Sequence, residues 1–381
     1  MDQRVAFIAD WLRDEWTMTE LAARYAISRK TSYRWVARYA ADPEQGLAER
    51  SRAPHAHGRA MADDLRAAVL ALRRAHPSWG PKKLQAILKG REPQRGWPAV
   101  STLGDVLRRA GLSQPRRRTR YLVPLTQPLA AATAANDVWT ADFKGWFRTA
   151  DGTRCDPLTV ADACSRYVLC CQIVAPSEAG VRPWFERAFR EHGLPRALRT
   201  DNGPPFATTG AARLSHLAVW WLKLGIQLDR IDPGHPEQNG RHERFHLTLQ
   251  QETTTPPAET PRHQQRRFDH RREEFNGVRP HEALGQQPPV RVYGPSPRPY
   301  PARLEDAWYD ATHQVRRVQR RGQIKWQGDY VFVSEAVRGE VVGLAETEHG
   351  DWIVRFLHVE LGRIDRQTRR FTAAWHGRRR G

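Results

Sequence analysis

The alternation of strand-like and helical segments between Asp137 and Ile231 constrains the fold of this chain more than any other feature. Runs rich in Val, Thr, Cys and Ile, such as LTVADACSRYVLCCQIV, are typical of strands. Two helical segments follow, AGVRPWFERAFREHG and ARLSHLAVWWLKLG, with the strand-like RALRTDNG between them and IQLDRI after them. Asp151–Gly152 gives a hairpin signal between the first strands. Such alternation predicts an α/β domain, which we place at residues 136–297.

The segments before this domain predict helices only. VAFIADWLRDE and MTELAARYAISRKTSYRWVARYA predict three short helices within residues 1–50, the third capped by Ser28. Residues 61–112 predict a second helical unit, whose last helix, in STLGDVLRRAGL, should begin at a Ser101 cap and end at Gly111. Both units fit the helix-turn-helix pattern of DNA-binding domains. A plain helical packing unit with a solvated basic face remains the alternative.

The rest of the chain divides by composition. Residues 113–135 contain PRRRTRYLVPLTQP and predict a basic linker bounded by prolines. Thr253–Arg267 is polar and Pro-containing, which predicts an irregular segment before a helix around Arg271–Phe275. Residues 298–381 contain the strand-like GQIKWQG, DYVFVS, EVVGLA and DWIVRFL and predict a small all-β barrel. The expected fold class is therefore multidomain, with two all-α units, an α/β core and a β-barrel.

The charge indicates the class of partner. The formal net charge is +19, and it is distributed unevenly: +10 over residues 61–135 and +5 over 298–381, but only +2 over 136–297. Excess positive charge flanking a nearly neutral centre favours a polyanionic partner, DNA in particular, and no membrane anchor is visible. The N-terminus carries acids where a secretory signal has a basic head. Four cysteines show neither zinc nor disulfide spacing, so we expect a reducing cytoplasm.

Several basic and polar side chains are placed where they can contact DNA. They lie on the predicted recognition helices, on the basic linker and around the start of the last helix of the α/β domain. The candidates are Arg29, Lys30, Ser32, Arg34, Lys82, Lys83, Arg108, Arg109, Arg116, Arg117, Arg118, Gln238, Asn239, Arg241, His242 and Arg244. Phosphate contacts would come from the basic flanks, and sequence readout from the helix-turn-helix units.

Three acids in the α/β domain are candidate metal ligands. Asp142 lies on the first strand, in WTADF, and Asp201 lies at the end of a later strand, in RTDNG. A third carboxylate can come from Glu237 or Glu243 in DPGHPEQNGRHERF, next to a predicted helix. Carboxylates at strand ends and on a nearby helix can converge on Mg²⁺, which prefers such oxygen ligands. Two such ions can activate an attacking oxygen and stabilise a leaving oxygen on a phosphodiester.

Five motifs, in order, carry a resemblance to a known family. WTADF, LTVADACSRYVL, RTDNGPPF, GHPEQNGRHERFH and FNGVRPHEAL are similar to the integrase core of bacterial insertion-sequence transposases, in the DDE transposase and retroviral-integrase superfamily. The likeness covers about residues 136–290. It implies a ribonuclease-H-like core with two Mg²⁺ ions, or Mn²⁺, held by an Asp-Asp-Glu triad. It also implies hydrolysis at the ends of a mobile element, which exposes 3′-OH groups that attack target DNA.

Two readings of the third carboxylate compete. Glu237 has the separation from Asp201 that is familiar in the superfamily, but it lies in a Pro/Gly-rich loop where no helix directs its side chain. Glu243 lies in the first turn of a helix and fits the family's G-x-x-E pattern, beginning at Gly240. Six residues of helix rotate a side chain by about 600°, so one helix would not aim both glutamates at one metal. We therefore assign the triad to Asp142, Asp201 and Glu243.

Neighbouring residues are given structural roles. Asp162 lies late on the second strand and is interpreted as structural, while Asn202 and Gly203 should shape the turn after Asp201. The paired Trp220–Trp221 is assigned to the core. The segment Arg279–His281 matches the family motif, with packing or phosphate contact as its expected role.

The leading hypothesis is a DNA-cutting and strand-transferring transposase of the bacterial cytoplasm and nucleoid. Its partners would be element ends, target DNA and further copies of itself, with at least a dimer assembled on DNA. A non-catalytic DNA-binding regulator, or a decayed transposase, is the alternative that explains the charge and the helical units but not the three acids. A ribonuclease-H-like nuclease without strand transfer shares the metal site.

Overall fold

The computed structural model describes residues 2–49, 61–113, 129, 132–231 and 240–374. Two compact units make up the chain, Met1–Ala62 and Asp63–Gly381. The linker arginines at 116–118 and residues 237–239 lie outside the described residues, as does the side chain of Arg241. Within the described ranges, no helix combines the length and apolar character that crossing a bilayer requires.

The first unit contains three helices, α1 (Gln3–Leu12), α2 (Met18–Arg24) and α3 (Arg29–Ala41). Each begins at a residue whose side chain accepts a hydrogen bond from the first turn: Asp2, Thr17 and Ser28. Phe7, Ile8 and Leu21 form its buried centre, and Trp35 and Tyr39 of α3 pack against them. The predicted three-helix unit and its Ser28 cap are confirmed.

The second unit opens with three more helices. They are α4 (Asp63–Ala75), α5 (Pro81–Arg91) and α6 (Val100–Arg109). The prediction of a Ser101 cap is wrong, because α6 begins one residue earlier, after the extended residue Ala99, and Ser101 is already helical. Gly111 has a φ of +70°, in the left-handed region that favours glycine, and follows the end of α6 as predicted.

A five-stranded mixed sheet forms the centre of the second unit. Its strands are β1 (Val138–Phe143), β4 (Pro157–Asp162), β5 (Val168–Ile173), β6 (Ala197–Thr200) and β7 (Gln227–Arg230). Their order across the sheet is β5-β4-β1-β6-β7, in which β1 is antiparallel to β4 and parallel to β6. The short strands β2 (Phe147–Arg148) and β3 (Arg154–Cys155) form the predicted hairpin, with Gly152 at a φ of +84°.

Helices cover both faces of this sheet. On one face, α7 (Glu178–His192) and α8 (His216–Lys223) bury Phe185, Phe189, Trp220 and Trp221 against strand residues such as Trp139. The other face carries α9 (Gly240–Thr253) and α10 (Pro261–Gly277). The paired tryptophans are core residues, as predicted.

The prediction of an irregular segment over residues 253–267 is wrong for most of its second half. Helix α10 begins at Pro261, after a Thr260 cap, well before the predicted Arg271. Its buried stripe includes Gln264, whose side chain accepts from the Ala258 backbone and donates to that of Thr253. Because a polar residue occupies a core-facing position, the spacing of the apolar residues alone does not show that this segment is an amphipathic helix.

The C-terminal part is all β, as predicted. Its strands are β8 (Gln314–Arg317), β9 (Gln323–Trp326), β10 (Asp329–Phe332), β11 (Val341–Glu346), β12 (Trp352–Phe356), β13 (Val359–Ile364) and β14 (Phe371–Ala373). Five of them form an antiparallel sheet in the order β14-β13-β12-β11-β8, and β9 pairs with β10. This part packs on α8 through a shared apolar cluster.

Candidate active site

Asp142 and Asp201 lie near the carboxyl ends of two neighbouring parallel strands. The register pairs Thr140 with Arg199 and Ala141 with Thr200. Asp142 is the next residue of β1, and Asp201 directly follows the last residue of β6. The two predicted aspartates therefore each come directly after the last residue pair of the register between these strands.

The carboxylate of Asp201 is poorly solvated. Its Oδ1 is buried and, in the described part of the chain, has no hydrogen-bond partner. Burial raises the pKa of Asp201, and a hydrogen bond from the backbone of Gly203 opposes that shift. Asn202 donates through Nδ2 to the carbonyl of Ile231 at 2.6 Å and so ties the turn to the end of β7, as expected of a turn-shaping residue. A buried carboxylate oxygen without a donor is suited to bind a cation.

Helix α9 lies over one face of the sheet. His242 is buried, with Nδ1 2.9 Å from the hydroxyl of Thr140 and Nε2 2.5 Å from that of Thr159. His246, one turn later, places Nε2 2.7 Å from the same Thr159 hydroxyl. Thr140 lies two residues before Asp142 on β1, so both side chains project toward α9. Burial lowers the pKa of His242 to about 4 and that of His246 to about 2, so both rings are neutral at neutral pH.

The orientation of α9 determines where Glu243 points. Phe245 packs edge-on against Phe275 of α10 with 4.9 Å between ring centroids, so this flank of α9 faces α10 and β5. Each residue advances a helix by about 100°, which puts Glu243 about 160° away from Phe245 around the axis. Glu243 is exposed and lies on the side of α9 away from the contact between Phe245 and α10.

The donor set of these three acids fits a hard divalent cation. Carboxylate oxygens are the ligands that Mg²⁺ and Mn²⁺ prefer, and the unpartnered oxygen of Asp201 is the kind of group a cation satisfies. Over the described ranges, no three His, Cys, Asp or Glu side chains already form a group able to hold a metal ion. A cation at this position would therefore have to draw the carboxylates together.

All but two of the predicted DNA-contacting residues fall into three groups. Exposed on their helices are Arg29, Lys30 and Arg34 of α3, Arg108 and Arg109 of α6, and Arg244 of α9. Lys82 forms an ion pair with Glu282 at 2.5 Å, while Lys83 is partly buried beside Arg279, and this burial lowers its pKa to about 8. Arg116, Arg117, Arg118, Gln238, Asn239 and the side chain of Arg241 lie outside the described residues.

Two candidates for DNA contact lie inside the protein instead. Ser32 is fully buried and its hydroxyl donates to the carbonyl of Ser28, because it lies three residues before Trp35 on the core-facing stripe of α3. His242 is 3% exposed and binds the sheet through Thr140 and Thr159. Neither side chain is available to DNA in this structure, so both predictions are corrected.

Asp162 has the structural role assigned to it. It is 1% exposed, and its carboxylate accepts from the backbone of Asn136 at 2.8 Å and from the backbone and hydroxyl of Ser165 at 2.7 and 2.6 Å. These bonds lie at the start of β1, at the opposite end of the strand from Asp142. Asp162 therefore closes the turn between β4 and β5.

Two clusters escaped the sequence analysis. In the first, the buried side chain of Glu252 of α9 accepts hydrogen bonds from Arg279 at 2.9 and 3.1 Å, and Arg271 lies 3.1 Å from it. Arg279 is therefore part of a buried ion pair instead of the expected phosphate contact. After β1, the exposed ring of Trp146 lies within 6 Å of the guanidinium groups of Arg148 and Arg154. The spacing of Arg and Trp in KGWFRTADGTR was a visible signal for the second cluster; nothing local indicated the first.

Comparison with known protein families identifies the parts of this architecture. Residues 132–236 match one Integrase core domain family and residues 224–289 match another. Residues 3–55 match a Helix-turn-helix domain, residues 31–107 match a Homeodomain-like domain, and residues 313–372 match the IS481 family transposase C-terminal domain. Separate parts of the chain thus match integrase-core, helix-turn-helix and insertion-sequence transposase domain families. Its mixed sheet with helices on both faces is the ribonuclease-H-like core predicted from the motifs.

Two curated relatives are insertion-element proteins. An uncharacterized 39.2 kDa protein of IS476 from Xanthomonas euvesicatoria is 30% identical over 60% of this chain. An uncharacterized 31.7 kDa protein of IS407 from Burkholderia multivorans is 33% identical over 48% of this chain. The chain spans 64% of the length of each of these relatives.

Among solved structures, the HTLV-2 integrase catalytic core domain in complex with magnesium is similar at 14% identity. It covers 42% of this chain and 98% of that one, with a TM-score of 0.33. A chain of the simian T-cell lymphotropic virus intasome is also 14% identical, covering 81% of this chain and 99% of that one, with a TM-score of 0.37.

Proposed function

We propose that this protein is a DNA transposase that binds the ends of a mobile element, hydrolyses phosphodiester bonds there and joins the exposed 3′-OH groups to target DNA. The observation that carries the proposal is that Asp142 and Asp201 each directly follow the last residue pair of the parallel strands β1 and β6. The matches to the Integrase core domain and to the IS481 family transposase C-terminal domain support the same activity. A DNA substrate of this kind places the reaction in the bacterial cytoplasm.

Asp142, Asp201 and Glu243 would hold two Mg²⁺ or Mn²⁺ ions, which supply activation of the attacking oxygen and stabilisation of the leaving oxygen. The residues of the chain do the positioning. Asp142 lies on β1 and Asp201 follows the adjacent β6, and α9, which carries Glu243, is bound to the sheet through Thr140 and Thr159. The buried Oδ1 of Asp201 favours this role, since burial raises the pKa of the carboxyl and this oxygen has no hydrogen-bond partner among the described residues.

DNA would be gripped by the exposed cationic side chains outside the carboxylate site. Arg29, Lys30 and Arg34 of α3 and Arg108 and Arg109 of α6 fit phosphate contact, because they project from helices into solvent. The cluster around Trp146 follows Asp142 along the chain and offers an aromatic face and two guanidinium groups to DNA near the cut site. Acting on two element ends would require at least a dimer on DNA.

Cleavage of DNA carrying the element's terminal repeats tests the proposal. We expect Mg²⁺-dependent cleavage by the wild type, and its loss in Asp142→Asn, Asp201→Asn and Glu243→Gln while DNA binding survives. Glu237→Gln is the matched control, a glutamate from the same stretch that should retain most activity. Equal loss at Glu237 with none at Glu243 would contradict the assignment.

The same assay separates the alternative functions. A wild type that binds the terminal repeats but cuts them with neither Mg²⁺ nor Mn²⁺ would indicate a DNA-binding regulator. Cleavage without joining to a target duplex would indicate a nuclease. Binding should weaken steeply with salt in every case, because many phosphates are neutralised.

A further inference from the structure

The hydroxyl of Thr159 connects the two parts of the candidate active site. Thr159 lies on β4 directly opposite Asp142, and its Oγ1 donates to the backbone carbonyl of Asp142 at 3.1 Å. The same oxygen lies within hydrogen-bonding distance of the Nε2 atoms of His242 and His246, at 2.5 and 2.7 Å. One fully buried side chain therefore binds the strand that carries Asp142 and the helix that carries Glu243.

The hydrogen-bonding capacity of this hydroxyl is fully used. A threonine hydroxyl has one proton and two lone pairs. If its proton goes to the carbonyl of Asp142, both lone pairs remain for N–H donors, so both histidines must carry their proton on Nε2. Nδ1 of His242 is then an acceptor. The Thr140 hydroxyl lies 2.9 Å from it and 3.2 Å from the carbonyl of Ala161, so its single proton can serve one of these two acceptors at a time. Donation from Thr159 to the carbonyl of Asp142 therefore fixes the tautomer of both rings.

We propose that Thr159 is a positioning residue that sets the rotation of α9 about its axis and thereby aims Glu243 at Asp142 and Asp201. His242 and His246 are four residues apart, so they lie on one face of α9 and hold it at two successive turns. Glu243 is the next residue after His242, in the first of these turns. The proposal rests on the proposed function, because it takes Glu243 as the third carboxylate.

The geometry indicates how sensitive the site is to this contact. A side chain reaches about 5–6 Å from the axis of a helix, so a 10° rotation of α9 would move the Glu243 carboxylate by about 1 Å. A misplacement of that size can lower a catalysed rate about 10²-fold. Residues that orient metal ligands without touching the metal typically change metal affinity or activity by about 10- to 100-fold when mutated.

Thr159→Val is the direct test, because it keeps the shape of the side chain and removes the hydroxyl. We expect DNA binding within about twofold of the wild type, Mn²⁺ affinity about 10-fold weaker and cleavage about 10²-fold slower. Mn²⁺ binding is measured on the full chain by electron paramagnetic resonance of the free ion, with Asp201→Asn as the reference for a lost ligand. Thr159→Ser restores the hydroxyl and should return both quantities to within a few-fold of wild type.

Thr149→Val is the matched control. Thr149 is also buried, and its hydroxyl also makes short bonds, to Asp151 at 2.6 Å and to the carbonyl of Thr153 at 3.1 Å, but it lies on the hairpin turn away from His242. It should lose stability yet keep Mn²⁺ affinity and cleavage.

Each outcome decides the proposal. Equal losses in Thr149→Val and Thr159→Val, or failure of Thr159→Ser to restore function, would show a general effect of stability and overturn it. Unchanged Mn²⁺ affinity and cleavage in Thr159→Val would also overturn it. A wild type that binds Mn²⁺ but never cuts DNA would refute the proposed function alone, since Mn²⁺ affinity still compares the three Thr variants. A wild type that neither binds Mn²⁺ nor cuts refutes both.

Discussion

The buried carboxylate of Asp201 predicts an unusual response to mutation. Most substitutions of buried residues destabilise a protein, but the charge on Asp201 is itself unfavourable, because burial raises its pKa and Oδ1 has no donor among the described residues. Asp201→Asn removes that charge. We therefore expect the metal-free variant to be at least as stable as the wild type. The same change should abolish most of the stabilisation that Mg²⁺ or Mn²⁺ gives.

The size of the metal effect follows from mass action. A cation at about 100 times its dissociation constant stabilises the folded state by about 2.7 kcal/mol. Unfolding entropy is about 2.1 cal/mol/K per residue, so the unit Asp63–Gly381, with roughly 300 residues, loses about 0.6 kcal/mol of stability per degree near Tm. The cation should then raise the Tm of the wild type by about 4 °C. In Asp201→Asn the rise should fall below about 1 °C, since a ligand and its charge are lost.

Thermal unfolding followed by circular dichroism, with and without Mn²⁺, measures both effects. Asp162→Asn is the control, because Asp162 is a more deeply buried aspartate of the same sheet whose oxygens accept three hydrogen bonds at the opposite end of β1. It should lower the metal-free Tm and keep the full metal-induced rise. The reasoning is refuted if Asp201→Asn keeps the 4 °C rise, or if it lowers the metal-free Tm as much as Asp162→Asn does.

Two further predictions concern stability. Glu252→Gln should lower the free energy of unfolding by about 3–5 kcal/mol, because it leaves the buried Arg279 without its counter-charge. Glu282→Gln is the control: it breaks an exposed pair with Lys82 and should lower that free energy by at most about 1 kcal/mol. Urea unfolding measures both. Lys83 has its pKa lowered to about 8, so between about pH 8 and 10.5 the unfolded state binds more protons and stability should rise with pH. Lys83→Met should lack this rise in urea titrations at pH 7 and pH 9.5; an unchanged slope would contradict the burial of Lys83.

Local chemistry explains which elements the sequence predicted well. The Ser28 cap and the left-handed Gly111 depend on neighbouring residues alone, and both were found where expected. The placement of Asp142 and Asp201 at strand ends was also predictable, because each follows a run of strand-forming residues. That their two strands are parallel neighbours follows from the register between β1 and β6, which only the assembled sheet defines.

Three of the errors share one cause, which is that polar residues were assumed to face solvent. Ser32 belongs to the same i, i+3, i+4, i+7 stripe as Trp35 and Tyr39, so helical spacing alone could have placed it in the core. Gln264 and His242 occupy core-facing positions of α10 and α9 in the same way. The backbone of Ala258 and Thr253 satisfies the polar atoms of Gln264, whereas the hydroxyls of two strands satisfy those of His242. The partners of His242 lie far away in sequence, so no local pattern could have revealed them.

The same buried histidines bear on the choice between the two glutamates. Helical rotation alone argued that Glu237 and Glu243 could not both face one metal, but it did not say which way the helix was turned. Two sets of contacts define how α9 is turned about its axis. His242 and His246 bind Thr159 of the sheet, and Phe245 packs on Phe275 of α10. Glu243 lies on the side of α9 away from the contact with Phe275, one residue from a ring bound to the strand of Asp142. On the proposed assignment, the sheet that carries the two aspartates also holds the helix that carries Glu243, and this is the physical reason for preferring Glu243.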